Sequence, residues 1–189
     1  MNSTPWKRSW TFLNVALLLL SLCAGATEKD VRYEPTPLPI VRAMLELAGV
    51  GPNDVVYDLG SGDGRIVITA AKEYGAHGVG VEIDPALVAE ARENARTAGV
   101  DDRVKFVEGN MFEADLHGAT VVTLFLHPEP NLRLRPRLLA QLKPGSRVVS
   151  YIWDMGDWAP DAAQPTGKGD RKIYLWRIPP QQQRSTRAP

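Results

Sequence analysis

The sequence predicts a Rossmann-like, doubly wound α/β fold: a mostly parallel seven-stranded sheet closed by a C-terminal antiparallel hairpin, all in a single domain. Three observations carry this. Short β-prone runs alternate with helical stretches from residue 38 to residue 178. A glycine-rich turn, Gly60-Ser61-Gly62-Asp63-Gly64, separates the first of those runs from the helix that follows it. The run Val121 to Leu126 is the most continuously apolar of these runs, as expected of a strand buried on both faces of a parallel sheet. At 189 residues, 44 % of them hydrophobic, the chain suits one substantial core.

Ahead of that domain, residues 1–26 carry Lys7 and Arg8, no acidic side chain, an apolar run from Phe12 to Cys23, and Ala24-Gly25-Ala26. This is the order of a secretory signal peptide, with cleavage expected after Ala26. The apolar run is short beside the ~20 residues of a membrane span. Trp6 and Trp10, read as interfacial residues, keep an uncleaved anchor open. The positive flank predicts an exported or membrane-anchored protein, although a basic, acid-free start also suits an organelle presequence. Cys23 is the only cysteine, so the domain has no thiol for a disulfide or a metal. His77, His117 and His127 are widely spaced, and no metal is expected. Formal net charge is zero, which gives no footprint for nucleic acid or an acidic membrane.

Residues 27–37 are polar and proline-rich and read as a linker. A helix over about residues 38–48 places Ile40, Val41, Met44, Leu45 and Ala48 on one side, with Thr36 a candidate cap and Pro37 in the first turn. Val55-Val56-Tyr57 starts the first strand, which stops at Asp58-Leu59-Gly60. Glycines at the density that follows let backbone approach a ligand closely. A short helix runs from Arg65 to Gly75, a second strand from Gly78 to Val81, and Glu82 stands at its end with Ile83 beside it.

Charge argues for the ligand. A dinucleotide fold puts its third glycine one place later, where this chain has Arg65, and leaves the approach uncharged for a pyrophosphate. Asp58 and Asp63 would repel phosphates but suit a ligand with an ammonium, a sulfonium and no phosphate. S-adenosylmethionine meets that description. Gly60, Ser61, Gly62 and Gly64 would form the turn against it, and Glu82 would take its ribose hydroxyls.

Further along, Asp84-Pro85 opens a helix that runs to Ala98, with Glu90, Arg92, Glu93 and Arg96 as a solvated face. Val104 to Glu108 is the third strand, and Val121 to Leu126 the fourth. His127-Pro128-Glu129-Pro130-Asn131 follows at the sheet edge where open α/β sheets bind ligands. A helix over Leu132 to Leu142, started or kinked by Pro136, reads as half-buried, with Arg133, Arg135 and Arg137 snorkelling. After the fifth strand, Arg147 to Ile152, the loop Trp153-Asp154-Met155-Gly156-Asp157-Trp158 suits either a pocket wall for a cationic or flat acceptor or a cover for the sheet edge. Residues 159–178 form the terminal hairpin, and 179–189 a disordered tail.

Asp58-Leu59-Gly60-Ser61-Gly62-Asp63-Gly64 with Glu82 resembles the first two motifs of class I, seven-strand methyltransferases. Glu34-Pro35-Thr36-Pro37, the Gly62-Asp63-Gly64-Arg65 turn and Arg147-Val148-Val149-Ser150 resemble the lysine methyltransferases of ATP synthase c-subunit and adenine nucleotide translocase, and their prokaryotic relatives. The resemblance implies an S-adenosylmethionine-dependent enzyme that N-methylates a protein lysine, with acceptor nitrogen displacing the sulfonium in line. It places Tyr33 and Thr36 near the cofactor's methionine end, and Asn110 and Met111 at its adenine, Asn110 standing where an acidic residue is common. It puts the acceptor beside the loop of His127, Glu129 and Asn131, the candidates for receiving a proton or orienting the amine. A small-molecule methyltransferase and a non-catalytic exported binding protein remain the alternatives.

Overall fold

A computed structural model describes residues 34–181 of the chain. The signal-like segment 1–26, Tyr33 and residues 182–189 lie outside the described residues. The elements in order are α1 (Leu38–Leu47), β1 (Val55–Leu59), α2 (Arg65–Tyr74), β2 (His77–Glu82), α3 (Pro85–Ala98), β3 (Val104–Glu108), β4 (Val121–Leu124), α4 (Pro128–Gln141), β5 (Arg147–Tyr151), β6 (Ala162–Pro165) and β7 (Lys172–Arg177). They build a seven-stranded sheet in the order β3-β2-β1-β4-β5-β7-β6. The first five strands are parallel, and β7 pairs antiparallel with β5 and β6.

Strand order reverses at β1, which has β2 on one side and β4 on the other. Crossovers leave in opposite directions there, so a crevice opens beyond the C-terminal ends of β1 and β4. One face of the sheet is covered by α1, α2 and α3 through Val41, Met44, Val67, Ala70 and Ala91, and the other by α4 through Leu134, Leu138 and Leu139, with Trp158 and Trp176. Burial on both faces explains the lack of alternation in β4, all four residues of which, Thr123 included, are buried.

Helix starts depart from the sequence reading in two places. Pro37, not Thr36, occupies the N-cap of α1, and no side chain caps that end. The helix expected from Leu132 begins at Pro128 instead and runs through Pro136. Pro128 and Pro130 fall in the first turn, where the missing N–H groups would have no helical acceptor anyway. Pro136 is tolerated because the flanking Leu134, Leu138 and Leu139 are buried in the core. The strand after Thr120 ends at Leu124, two residues earlier than the apolar run suggests. Asp84 caps α3 as expected, its Oδ1 accepting from Ala86 N at 3.0 Å.

Of the three arginines of α4 expected to snorkel, Arg133 is exposed, whereas Arg135 is buried and Arg137 half-buried. Arg135 is 2 % exposed, donates to Met155 O at 3.2 Å and pairs with Asp157. Arg137 donates to Ala114 O at 2.8 Å, and the Arg133 guanidinium lies 3.7 Å from the centroid of the Phe112 ring. They are staples between α4 and the flanking loops, which a leucine-arginine alternation cannot reveal because the partners are distant in sequence.

At the end of the sheet opposite the crevice, Asp54 gathers several segments. Its Oδ1 accepts from Thr120 Oγ1 at 2.7 Å and pairs with Arg147 at the start of β5, and its Oδ2 accepts from Gly51 N at 2.9 Å. Arg147 also donates to Ala48 O behind α1 at 3.2 Å. Burial pushes the Asp54 carboxyl up, but the Thr120 hydroxyl, the Gly51 amide and Arg147 outweigh it and hold the group below its ordinary value. A depressed carboxyl contributes stability that is present above its unfolded value and lost as pH falls through the folded one. Replacing Asp54 with Ala strands a largely buried guanidinium, so urea unfolding at neutral pH is expected to show a loss of about 3 kcal/mol. The deficit relative to the parent protein should shrink on acidification.

Candidate cofactor and acceptor site

Where β1 ends, the register sets Asp58 opposite Thr123 of β4 and Gly80 of β2. Thr123 Oγ1 donates to Asp58 Oδ1 at 2.6 Å. Asp58 is only 3 % exposed. Burial is the main cause that drives its carboxyl up, to about 7; the Thr123 hydroxyl opposes the shift, while Glu82 and Asp63 add to it. The groups that act on this carboxyl are thus one hydroxyl and two further acids, the environment of a group that receives its cation from a ligand.

The turn beyond Asp58 is fixed by backbone and by one carboxylate. Gly60 N and Ser61 N both donate to Val81 O, at 2.9 and 3.0 Å. Glu82 Oε2 accepts from Gly62 N at 2.9 Å, and Oε1 accepts from Ile83 N at 2.8 Å and Asp84 N at 2.9 Å. Glu82 therefore holds the turn and the start of α3 together. Gly64 has φ +82°, and a Cβ there would lie 2.5 Å from Phe106 Cζ, so strain and space both demand glycine. Asn94, from α3, donates to Asp63 O at 3.0 Å.

Asp63 departs from its expected role. Its carboxylate is paired with Arg65, whose Nη2 approaches Oδ2 at 2.6 Å, and Arg65 Nη1 reaches Thr36 O at 3.0 Å. The acid lies two residues before the base, so the pair closes locally and leaves Asp58 as the buried carboxylate of the turn. Arg65 thereby ties the Glu34-Pro35-Thr36-Pro37 segment to the glycine turn.

An open cleft lies over this turn. Asp58, Gly60, Ser61, Glu82, Ile83, Asn110, Met111 and Thr36 all border it, while Gly62 and Gly64 do not. Ser61 Oγ is buried against Gly80 of β2 and has no hydrogen-bond partner. The carboxylates of the cleft are Asp58, Glu82, Asp63 and Glu34, and the one cation lining it among the described residues, Arg65, is engaged by Asp63. A phosphate-bearing ligand is disfavoured, and one with ammonium and hydroxyl groups fits. Asn110 differs from expectation: its Oδ1 already accepts from Phe112 N at 3.0 Å, although an amide oxygen keeps a second lone pair.

A second cavity shares Glu34, Phe125 and Leu126 with the first. His127, Ile152, Trp153 and Arg171 complete it. The rings of His127 and Trp153 lie 6.0 Å apart, and those of Phe125 and Tyr151 lie 4.9 Å apart. Of the three residues expected at the acceptor, the structure brings only His127 to this cavity. Glu129 is exposed on the first turn of α4 and does not border it. Asn131 is fully buried and donates to Ser150 Oγ, Trp153 O and Asp154 O. Trp153 lines the cavity, but Trp158 is 2 % exposed and packs 6.0 Å from Trp176 in the core. Sequence reasoning missed Thr123, Phe125, Ile152 and Arg171 as site residues. Thr123 does leave a signal, since a hydroxyl in a wholly buried strand needs a partner.

Residues 58–162 match the family described as the ANTKMT methyltransferase domain. A protein-lysine N-methyltransferase from Saccharolobus islandicus is 46% identical over 151 residues, spanning 78% of this chain and 94% of that protein. The human lysine N-methyltransferase of the ATP synthase c-subunit is 37% identical over 181 residues, 90% of this chain and 76% of its own length. A crystal structure described as an RNA methyltransferase from Salinibacter ruber, in complex with S-adenosyl-L-homocysteine, is 57% identical with a TM-score of 0.76, covering 77% of this chain and 94% of that one.

The raised Asp58 carboxyl sets the sign of a stability test. A folded value above the unfolded one contributes stability that is full below the ordinary carboxylate range and lost as pH rises through about 7. Ligand-free protein is expected to lose up to about 1.4 kcal/mol per pH unit across that window from this group. Denaturant titrations of Asp58→Asn across the same range should lack that slope.

Proposed function

Because this chain belongs to the family of ANTKMT methyltransferase domains, we propose that it is an S-adenosylmethionine-dependent protein-lysine N-methyltransferase whose acceptor enters through the second cavity. The observation that carries this reading is the junction of the two cavities at Glu34, Phe125 and Leu126. The Glu34 carboxylate and the Phe125 ring border that junction, with Trp153 further along the second cavity, the chemistry that receives a primary ammonium.

Within the first cleft, the Asp58 carboxylate would hold the cofactor's ammonium, and Glu82 its ribose hydroxyls through the lone pairs that Gly62, Ile83 and Asp84 leave open. Ile83 and Met111 would pack on the adenine, and Asn110 would accept from its amino group. Ser61 and Thr36 complete the wall. When bound, the cofactor supplies an electrophilic methyl group on a sulfonium. The chain's own part is to orient the acceptor, exclude water and move a proton. A lysine amine, near pKa 10.4 in water, must lose its proton before it attacks the methyl group. Phe125 and Trp153 desolvate it, which favours the uncharged form. Glu34 draws the ammonium in, and the His127 imidazole or the Glu34 carboxylate takes the proton. Glu129 and Asn131 have no part in that step. Positioning supplies much of the remaining rate enhancement.

A protein acceptor is favoured over RNA by the lysine N-methyltransferases among the relatives and by the formal net charge of zero. A labelled-methyl experiment tests it. Transfer of radiolabel from S-adenosylmethionine into protease-sensitive material is expected, with methyl-lysine recovered after hydrolysis. Label in ribonuclease-sensitive or dialysable material would overturn the acceptor.

The segment 1–26 takes its meaning from the cofactor. Because S-adenosylmethionine is held inside cells, the apolar run with Trp6 and Trp10 is proposed as an anchor or targeting segment that keeps the domain where the cofactor is available. Recovery of the chain with its N-terminus intact in the membrane fraction would support this. A soluble exported form starting at Thr27 would contradict it.

Binding of S-adenosylhomocysteine is expected to weaken by roughly 10-fold or more in Asp58→Ala and in Glu82→Ala, the loss of a charge-assisted hydrogen bond in each. In the parent protein, calorimetric affinity should tighten as pH rises through about 7, where Asp58 ionises, and Asp58→Asn should abolish that dependence. Trp153→Ala should raise the acceptor KM while leaving cofactor affinity unchanged.

A further inference from the structure

We infer that Asn131 is a positioning residue for the acceptor side of the site: with Ser150 it clamps the strained turn at Ile152 and so sets the Trp153 indole against the second cavity. The inference rests on the reading of that cavity as the acceptor's. Ile152 has φ +71°, the only non-glycine residue with positive φ among the described residues. For a β-branched side chain this is a true outlier, which persists only where surrounding contacts over-determine it. Those contacts are present on every side. Ile152 N donates to Lys172 O at 2.8 Å, and Trp153 N turns back to Tyr151 O at 3.0 Å. Ser150 Oγ donates to Trp153 O at 2.7 Å. Asn131 Nδ2 shares its two hydrogens among Ser150 Oγ at 3.3 Å, Trp153 O at 3.2 Å and Asp154 O at 3.2 Å.

A wholly buried asparagine that commits its donors to two successive loop carbonyls, and whose Oδ1 is buried without a partner and out of reach of the cavity, is ill-suited to meet a substrate and well-suited to fix that loop. One helical turn later on α4, Arg135 holds Met155 O and Asp157, so the same helix face grips the loop again. The product of this grip is local. The chain leaves β5 with Trp153 turned back to border the cavity, its ring 6.0 Å from that of His127, instead of continuing along the strand. Glu82 performs the equivalent task for the cofactor turn, by accepting from backbone N–H groups, whereas Asn131 donates to backbone carbonyls.

The test uses the full chain, with Asn131→Asp as an isosteric change that replaces two donors by acceptors facing carbonyls, and Ser150→Ala as a second variant should the first fail to fold. Three readouts are taken: calorimetric affinity for S-adenosylhomocysteine, acrylamide quenching of indole emission, and steady-state methylation of poly-L-lysine. The expected result is unchanged cofactor affinity, increased quenching that disappears in a Trp153→Phe background, and a rise in poly-L-lysine KM of about tenfold with a smaller change in kcat. Unchanged quenching and KM in a folded variant would overturn the inference, as would a loss of cofactor affinity that accounts for the whole effect. If Trp153→Ala raises KM and the clamp variants do not, the inference alone fails. If Trp153→Ala leaves KM unchanged, the acceptor reading of the cavity fails and takes the inference with it.

Discussion

A carboxylate buried at the end of β1, with acids and a hydroxyl for neighbours, is the constraint on which the site depends. Asp58 sits where the strand order reverses, the one place in a doubly wound sheet where backbone from two neighbouring strands opens onto a crevice. Thr123, opposite it on β4, supplies a single hydrogen bond and no charge. The group is thus destabilised as an anion when no ligand is bound and answered by a cationic one. A site that carries such a group trades stability at neutral pH for affinity.

Around that carboxylate the structure repeats one device. Loops that must meet small molecules are held by buried or half-buried polar side chains that bond backbone, so that their shape is set before anything binds. Glu82 gathers the amides of the glycine turn and of the start of α3. Arg65 binds Asp63 and the carbonyl of Thr36, docking the segment ahead of α1 over the turn. On the other side Ser150 and Asn131 gather the carbonyls after β5. The sequence pieces that resemble the family acquire a common physical reason here. Glu34 to Pro37, Gly62 to Arg65 and Arg147 to Ser150 are the residues that dock the entry segment, shape the turn, anchor β5 at Asp54 and start the strained exit.

Much of this is legible in the chain alone, and the reasons are local. The alternation of β-prone runs with amphipathic stretches, the glycines of the turn and the acid after the second strand act over a few residues, and their spacing carries the meaning. Asp84 caps its helix for the same reason. What escapes such a reading is of two kinds. Asp63 and Arg65 are close enough to neutralise each other, which charge counting alone does not resolve. Asn131, Arg135 and Trp158 find partners twenty or so residues away, and type alone does not tell whether a polar or aromatic side chain will face solvent, substrate or core.

Hydrophobic period, glycine placement and the sign of nearby charges are properties of short segments, so the amino-acid order is enough to dictate a parallel α/β sheet, its closing hairpin and a cofactor turn hostile to phosphate. Which loop residues reach the second cavity is settled at the tertiary level. His127 and Trp153 border it, Glu129 points elsewhere and Asn131 serves the wall from behind. The reason is that α4 begins at Pro128, four residues earlier than its periodicity suggests, so side chains that are near neighbours in the chain are spread around one helical turn. The inward turn of Trp153 likewise depends on a backbone conformation at Ile152 that no local preference favours and only packed neighbours can impose.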